Sequence, residues 1–246
     1  MTVYYRTQGF IFKKQDRFEA DRVFSVFTSE FGRLEVFGKA IRKITSKLRG
    51  GIEIFSLSEI EFIQGRNRKT LTDTIVIEKF NNIAQDPSRL EIGHKIIDIL
   101  DNFIKGQEKD ELVFILLKET LSKLNSLKLK TSNMQLIHYY FLWNFLSVLG
   151  YHPEIQRCVT CRSKLNPISL YFSNKGGGII CKNCLDSDID AKTINSDIVK
   201  ILRLILKKDW RVLSKLKIDI FSQDLFKNLS DNYYYYILSN HSVVLQ

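Results

Sequence analysis

The sequence predicts an α+β fold: a small five-stranded barrel at the N-terminus, then a helical bundle that carries a compact cysteine-rich lobe. Three observations point there. Residues 3–80 fall into five short stretches rich in β-branched and aromatic side chains. After Asp86-Pro87-Ser88 the apolar period lengthens to that of a helix. All 4 cysteines of the 246-residue chain lie within positions 158–184, as two CxxC pairs.

The strand stretches are VYYRTQGFIFKK, RVFSVFTSE, RLEVFGKA, IEIFSLSEIEFI and TLTDTIVIEKF, with turn-like breaks at Lys14–Asp21, Glu30–Gly32 and Gly65–Arg68. In the fourth, the apolar phase slips from Phe55 and Leu57 to Ile60 and Phe62, which predicts a bulge or bend. Five strands with a strongly bent one suit an OB-fold barrel over residues 1–81.

Asp86 or Ser88 can cap the first helix, and Pro87 fits its first turn. Ile96, Ile97, Leu100, Phe103 and Ile104 then follow helical spacing, and Leu112–Leu127 forms a second helical run. A third, Asn133–Leu149, is apolar nearly all round and is expected at the bundle centre, ended by Gly150 and Pro153. Ser196–Lys208 and Phe221–Leu238 read as further helices. Residues 82–150 and 188–246 are thus expected to form the helical domain, with 151–187 inserted in it or hanging off it.

Several function classes find no support. The longest apolar stretch, Leu136–Leu149, contains His138, Asn144 and Ser147 and falls short of the roughly 20 residues a membrane span needs. The first residues turn charged before an apolar signal region forms, so a soluble, cytoplasmic protein is expected. Neither HExxH, GxSxG nor a phosphate-loop motif occurs, and the histidines are scattered, so no enzyme is expected. Asp186, Asp188 and Asp190 mimic the start of a calcium loop. However, Ala191 stands where that loop needs Gly, and Asp197 where it needs Glu.

In a reducing compartment paired CxxC motifs suit metal or catalysis better than disulfides. Cys158, Cys161, Cys181 and Cys184 have the spacing of a structural Zn2+ site, and four thiolates leave no open position for a catalytic water. Leu170-Tyr171-Phe172 and Gly176–Gly178 between them let the chain turn back to the second pair.

The net charge is +10, carried as +5 on residues 1–81, zero on 82–157 and +5 on 158–246. Such a balance suits an anionic partner, with nucleic acid the commonest. Arg33, Lys39, Arg42, Lys43, Lys47 and Arg49 cluster at and after the third strand, where cations can track a phosphate backbone. Phe10, Phe12, Phe24 and Phe37 are candidate stacking platforms, with core positions the stronger reading. Lys200, Arg203, Lys207 and Arg211 are spaced to line one helix face, which would suit an acidic peptide or more DNA.

The stretches GFIFKKQDRFEADRVFSVFTSEFGRLEVFGKAIRK and SKLRGGIEIFSLSEIEFIQGR resemble, in order and spacing, the OB-fold domain of the RecO family of bacterial recombination mediators. LGYHPEIQRCVTC followed by YFSNKGGGIICKNC resembles that family's zinc segment. Arg17-Phe18-Glu19-Ala20-Asp21 departs from the family's small glycine-containing turn. The resemblance implies a non-enzymatic, nucleoid-associated protein that binds single- and double-stranded DNA and anneals complementary strands. It further implies partners in RecR, in the acidic tail of the single-strand-binding protein and, indirectly, in RecA. By the same resemblance Lys39, Arg42, Lys43, Lys47 and Arg49 lie on the DNA path.

Overall fold

The computed structural model describes residues 3–126 and 131–244, so Leu127, the last residue of the second helical run, lies outside the described residues. The chain forms two compact units, residues 1–129 and 130–246.

The first unit is built on a closed barrel, as the strand-rich N-terminus predicts. Its strands are β1 (Tyr4–Arg17), β2 (Asp21–Thr28), β3 (Gly32–Gly38), β4 (Ser56–Gln64) and β5 (Lys69–Lys79), in the order β1-β2-β3-β5-β4. β1 pairs antiparallel with both β2 and β4. A register shift between Ile11 and Lys13 lets this long strand serve both neighbours. β3 and β5 close the ring in parallel through only Val36–Lys69 and Phe37–Thr70. This is the OB arrangement.

The phase slip in the fourth strand has a different origin from the one its sequence suggests. β4 begins after Phe55, which sits at φ +59° outside the strand. Within β4, Ser58, Ile60 and Phe62 share one face with period two, and Leu57 is buried on the other. The register shifts between β4 and β5 instead place the extra residues on β5, at Thr72 and Ile77.

Ile11, Phe24, Val26, Leu34, Val36, Ile60, Phe62 and Leu71 fill the barrel, with Ile41 and Ile52 contributed by the β3–β4 connection. The outer face is covered by α1 (Asn81–Gln85), α2 (Pro87–Phe103) and α3 (Glu111–Ser126). Phe114 of α3 meets Phe10 and Phe27 at ring-centroid distances of 5.0 and 6.2 Å. α2 comes so close to Phe55 that a Cβ at Gly93 would lie 2.7 Å from that ring. Asp86 caps α2 by accepting from the Ser88 and Arg89 amides.

The second unit centres on α4 (Thr131–Val148), whose Tyr140, Phe141, Trp143 and Phe145 are buried. The cysteine segment contributes β6 (Leu170–Ser173), β7 (Gly178–Cys181) and β8 (Lys192–Ile194), in the order β7-β6-β8. α5 (Ser196–Leu206), α6 (Trp210–Leu213) and α7 (Ile220–Val244) complete it. The lobe is wedged into the helices. Phe172 of β6 packs edge-on against Trp143 and Tyr233, which stack on each other at 5.0 Å. The Trp143 indole N–H donates to Ser230 of α7, so the aromatic seam is also hydrogen-bonded. Among the described residues no helix is long and apolar enough to cross a membrane.

Candidate nucleic-acid interface and metal centre

The β3–β4 connection, residues 39–55, is a run of tight turns. The Lys43, Ser46, Arg49 and Gly51 amides each donate to the carbonyl three residues back. Apolar anchors decide which side chains face water. Ile41 and Ile52 are buried and Leu48 is half-buried against the barrel core. Lys39, Arg42, Lys43, Lys47 and Arg49, lying between these anchors, are exposed, and no acid occurs between Glu35 and Glu53. Five cations on one short connection therefore give a strongly positive edge.

That edge is fastened to the β1–β2 hairpin. The Arg42 amide donates to the Ala20 carbonyl at 2.9 Å, and Asp21 Oδ1 accepts from the Ala40 amide at 2.6 Å. Arg42 Nε lies 3.6 Å from Asp16, which pairs more closely with Arg22 Nε at 2.6 Å. The hydrogen bond from Arg22 holds the Asp16 carboxyl below the usual carboxylate range.

Arg33 is placed otherwise than its membership of the basic cluster suggests. Its guanidinium is mostly buried, 2.5 Å from Asp101 of α2 in an ion pair off the hydrogen-bond line, and donates to the Ile104 carbonyl at 3.1 Å. It also lies over the Phe12 ring. Arg33 ties β3 to α2 rather than joining the exposed edge. The approach is close: a Cβ at Gly32, where φ is +59°, would meet the Glu108 carbonyl oxygen at 2.2 Å.

A cleft of about 610 Å3 opens where β3 and β5 part. Val23, Glu35 and Phe37 line it with Arg68, Lys69 and Lys105. Phe10, Phe12, Phe24 and Phe37 are all at least nine-tenths buried, so none presents a free ring. Phe37 is covered from the cleft by the Arg68 guanidinium, 4.0 Å from its centroid. The cations of the β4–β5 turn were legible as Arg66-Asn67-Arg68-Lys69 beside Gly65. The basic-cluster reading missed them because it stopped at Arg49.

In the second unit the four cysteines converge, with their sulfurs within 4.8 Å of one another. The first pair is a knuckle: the Arg162 amide donates to the Cys158 carbonyl, and Arg162 turns the chain at φ +60°. β6 and β7 then bring Cys181 back so that its amide points at Cys158 Sγ, 3.4 Å away. Cys161 and Cys181 Sγ atoms are 3.7 Å apart, too far for a disulfide. A tetrahedron of Zn–S bonds of about 2.3 Å has edges of about 3.8 Å, so the donor set fits such an ion. The Ser163 hydroxyl beside Cys161 lowers that thiol to about 6, whereas contact with Cys161 pushes Cys184 up to about 12. Asp188, in the acidic run that mimics a calcium loop, takes the Ser173 hydroxyl and the Asp190 amide and is part of the lobe's framework.

Lys200, Arg203, Lys207 and Arg211 do not form one stripe. α5 ends at Leu206, Lys208 adopts φ +55°, and the Asp209 amide closes back on the Leu204 carbonyl. Asp209 then caps α6 through the Val212 amide, which puts Arg211 on a separate helix. Lys200 pairs with Asp197 at 2.8 Å, and Arg203 turns inward to the Ile155 carbonyl at 3.1 Å. Only Lys207 and Arg211 of the four are exposed without such a fixed partner described.

Residues 1–80 match the family profile described as recombination protein O N terminal, and residues 84–241 match recombination protein O C terminal. The chain is 32% identical over 215 residues to the DNA repair protein RecO of Dehalococcoides mccartyi, covering 87% of this chain and 83% of the relative. It is 27% identical over 213 residues to that of a Thermoanaerobacter species, covering 87% and 84%. With the RecO of Halalkalibacterium halodurans it shares 24% over 232 residues, covering 94% and 89%.

Proposed function

The chain belongs to the RecO family of DNA repair proteins, and from that premise we propose that it binds single- and double-stranded DNA and anneals complementary strands. With RecR it would help RecA load onto DNA covered by the single-strand-binding protein. The observation that carries this reading is the exposed edge Lys39, Arg42, Lys43, Lys47 and Arg49, whose own connection carries no acid before Glu53 and which is pinned to the barrel by its apolar anchors. Annealing needs no bond chemistry. Two strands repel through their phosphates, and a basic edge that holds both screens the repulsion and raises their local concentration. Base pairing supplies the rest, so no catalytic residue is required.

Arg68, Lys69 and Lys105 around the cleft extend the same charge along the barrel. The four cysteines would hold Zn2+ in a structural role, and the ion would supply four thiolate bonds that close the lobe. An acidic tail of the single-strand-binding protein would meet Lys207 and Arg211 beside the α5–α6 break.

The test is fluorescence-quench annealing of complementary oligonucleotides at two salt concentrations. Wild-type protein accelerates annealing at low salt, and the acceleration fades as salt rises. The triple variant Arg42→Glu, Lys43→Glu, Lys47→Glu loses DNA binding by about two orders of magnitude or more at unchanged melting temperature. Unchanged binding at moderate salt would remove the connection from the DNA path.

A further inference from the structure

Phe18 stands at the tip of the β1–β2 hairpin, just beyond the last strand pair, Arg17 with Asp21. Its side chain is 83% exposed and its backbone lies at φ +50°, a region that bulky L residues rarely adopt. Both features count against the fold. An apolar ring left in water gains nothing from burial, and a turn with this backbone is at ease with glycine or asparagine. Exposure and backbone together leave this ring free for a contact outside the chain.

The surroundings indicate which contact. Arg17 precedes the ring, Glu19 follows it, and the hairpin stem carries Asp16 answered by Arg22 and Arg42. The Ala20 carbonyl and the Asp21 carboxylate, within three residues of Phe18, hold the amides of Arg42 and Ala40. The hairpin tip that carries the ring is thereby fastened to the start of the five-cation edge, on the barrel wall near the cleft at Val23 and Phe37. Among the described residues Phe18 is the exposed phenylalanine of the barrel, the others there being buried or half-buried.

We propose that Phe18 stacks on an unpaired nucleobase and gives the hairpin tip a preference for single-stranded nucleic acid. The inference rests on the reading that the basic connection tracks phosphates. A base in a duplex already has its neighbours to stack on, whereas every unpaired base offers a free π-face whatever its identity. The cations supply affinity for either form of DNA, and the ring distinguishes the two.

The experiment uses the full chain as wild type, Phe18→Gly, Phe18→Leu and Phe18→Trp. Binding of a labelled oligothymidine and of a blunt duplex is measured at one salt concentration, with melting temperatures alongside. Phe18→Gly and Phe18→Leu weaken single-strand binding about tenfold and leave duplex binding within about twofold. The glycine variant melts at the wild-type temperature or above, because its backbone is at ease at this φ. Phe18→Trp keeps single-strand affinity, and its added emission, taken against the Trp143 and Trp210 background of wild type, is quenched by the oligonucleotide. Unchanged single-strand binding in Phe18→Gly, with wild type binding both forms, would overturn the proposal and assign the ring to a protein contact. Equal losses on both forms would overturn it too. Failure of wild type to bind either form would instead remove the basic edge as a DNA path, and the proposal with it.

Discussion

Arg33 and Lys39 lie close together at β3 and its exit, yet their side chains have opposite fates. Both read as cations of one basic cluster, because sequence proximity carries charge but not direction. Arg33 points from β3 towards α2, where Asp101 and the Ile104 carbonyl receive it, whereas Lys39 has left the strand and faces water. The partner Asp101 is far away in sequence and nothing local announces it. Arg33→Met is therefore expected to destabilise the first unit by about 1–3 kcal/mol, as for a lost charged hydrogen bond with its acceptor left half-buried. Duplex affinity at fixed salt should stay within about twofold. Thermal melts paired with a binding titration check this, and a large loss of affinity with no loss of stability would return Arg33 to the DNA path. The buried state of Phe10, Phe12, Phe24 and Phe37 was the more legible fact, since each lies in an alternating strand whose apolar face must be covered.

Elements were legible where a local signal set both ends. Asp86-Pro87 marks the start of α2, and the switch from period two to helical spacing marks the end of the barrel. Legibility failed where one signal had two causes. The slip from Leu57 to Ile60 reads as a bulge, but it arises because Phe55 precedes β4 and Leu57 faces the helices' side of the sheet. The break after α5 was written in the chain as Asp209 before Trp210, a cap that the spacing of basic residues outweighed. The cysteine lobe belongs to this scale as well. Its hairpin, β6 and β7, brings Cys181 to Cys158 and at the same time seats Phe172 between α4 and α7. On the proposal that the lobe holds Zn2+, Cys181→Ser is expected to lose the ion, and with it folding energy on the order of 10 kcal/mol for the lobe. The near-UV dichroism of Trp143 and Tyr233 should weaken in parallel, because Phe172 no longer wedges them. Metal analysis and dichroism of the same preparation check this; a metal-free variant with wild-type dichroism would separate the lobe's order from the ion.

At the scale of the molecule, the net charge of +10 is legible at once, but its distribution over surfaces is not. Some cations are tied to acids, such as Arg22 and Lys200, whereas among the described residues only Arg42 of the five on the β3–β4 connection has an ion-pair partner. Salt dependence counts the latter group. If about five phosphates are neutralised, the logarithm of the duplex association constant should fall against the logarithm of salt with a slope of about −4.5, and of about −3.5 for a single strand. A salt series on both forms checks this, and a slope near −1 would mean that the connection hardly touches DNA.

The closing pair of the barrel has a mechanical consequence. β3 and β5 are joined by two rungs, whereas β4 and β5 are paired from Ser56 to Gln64. Opened at those two rungs, the ring becomes a continuous sheet, β3-β2-β1-β4-β5, in which every neighbour is still antiparallel and no other ladder is cut. The barrel therefore behaves as a clasp fastened at one point. The cleft lies along that fastening, where the wall is held by the fewest backbone pairs, so this is the seam at which local opening is expected to cost least.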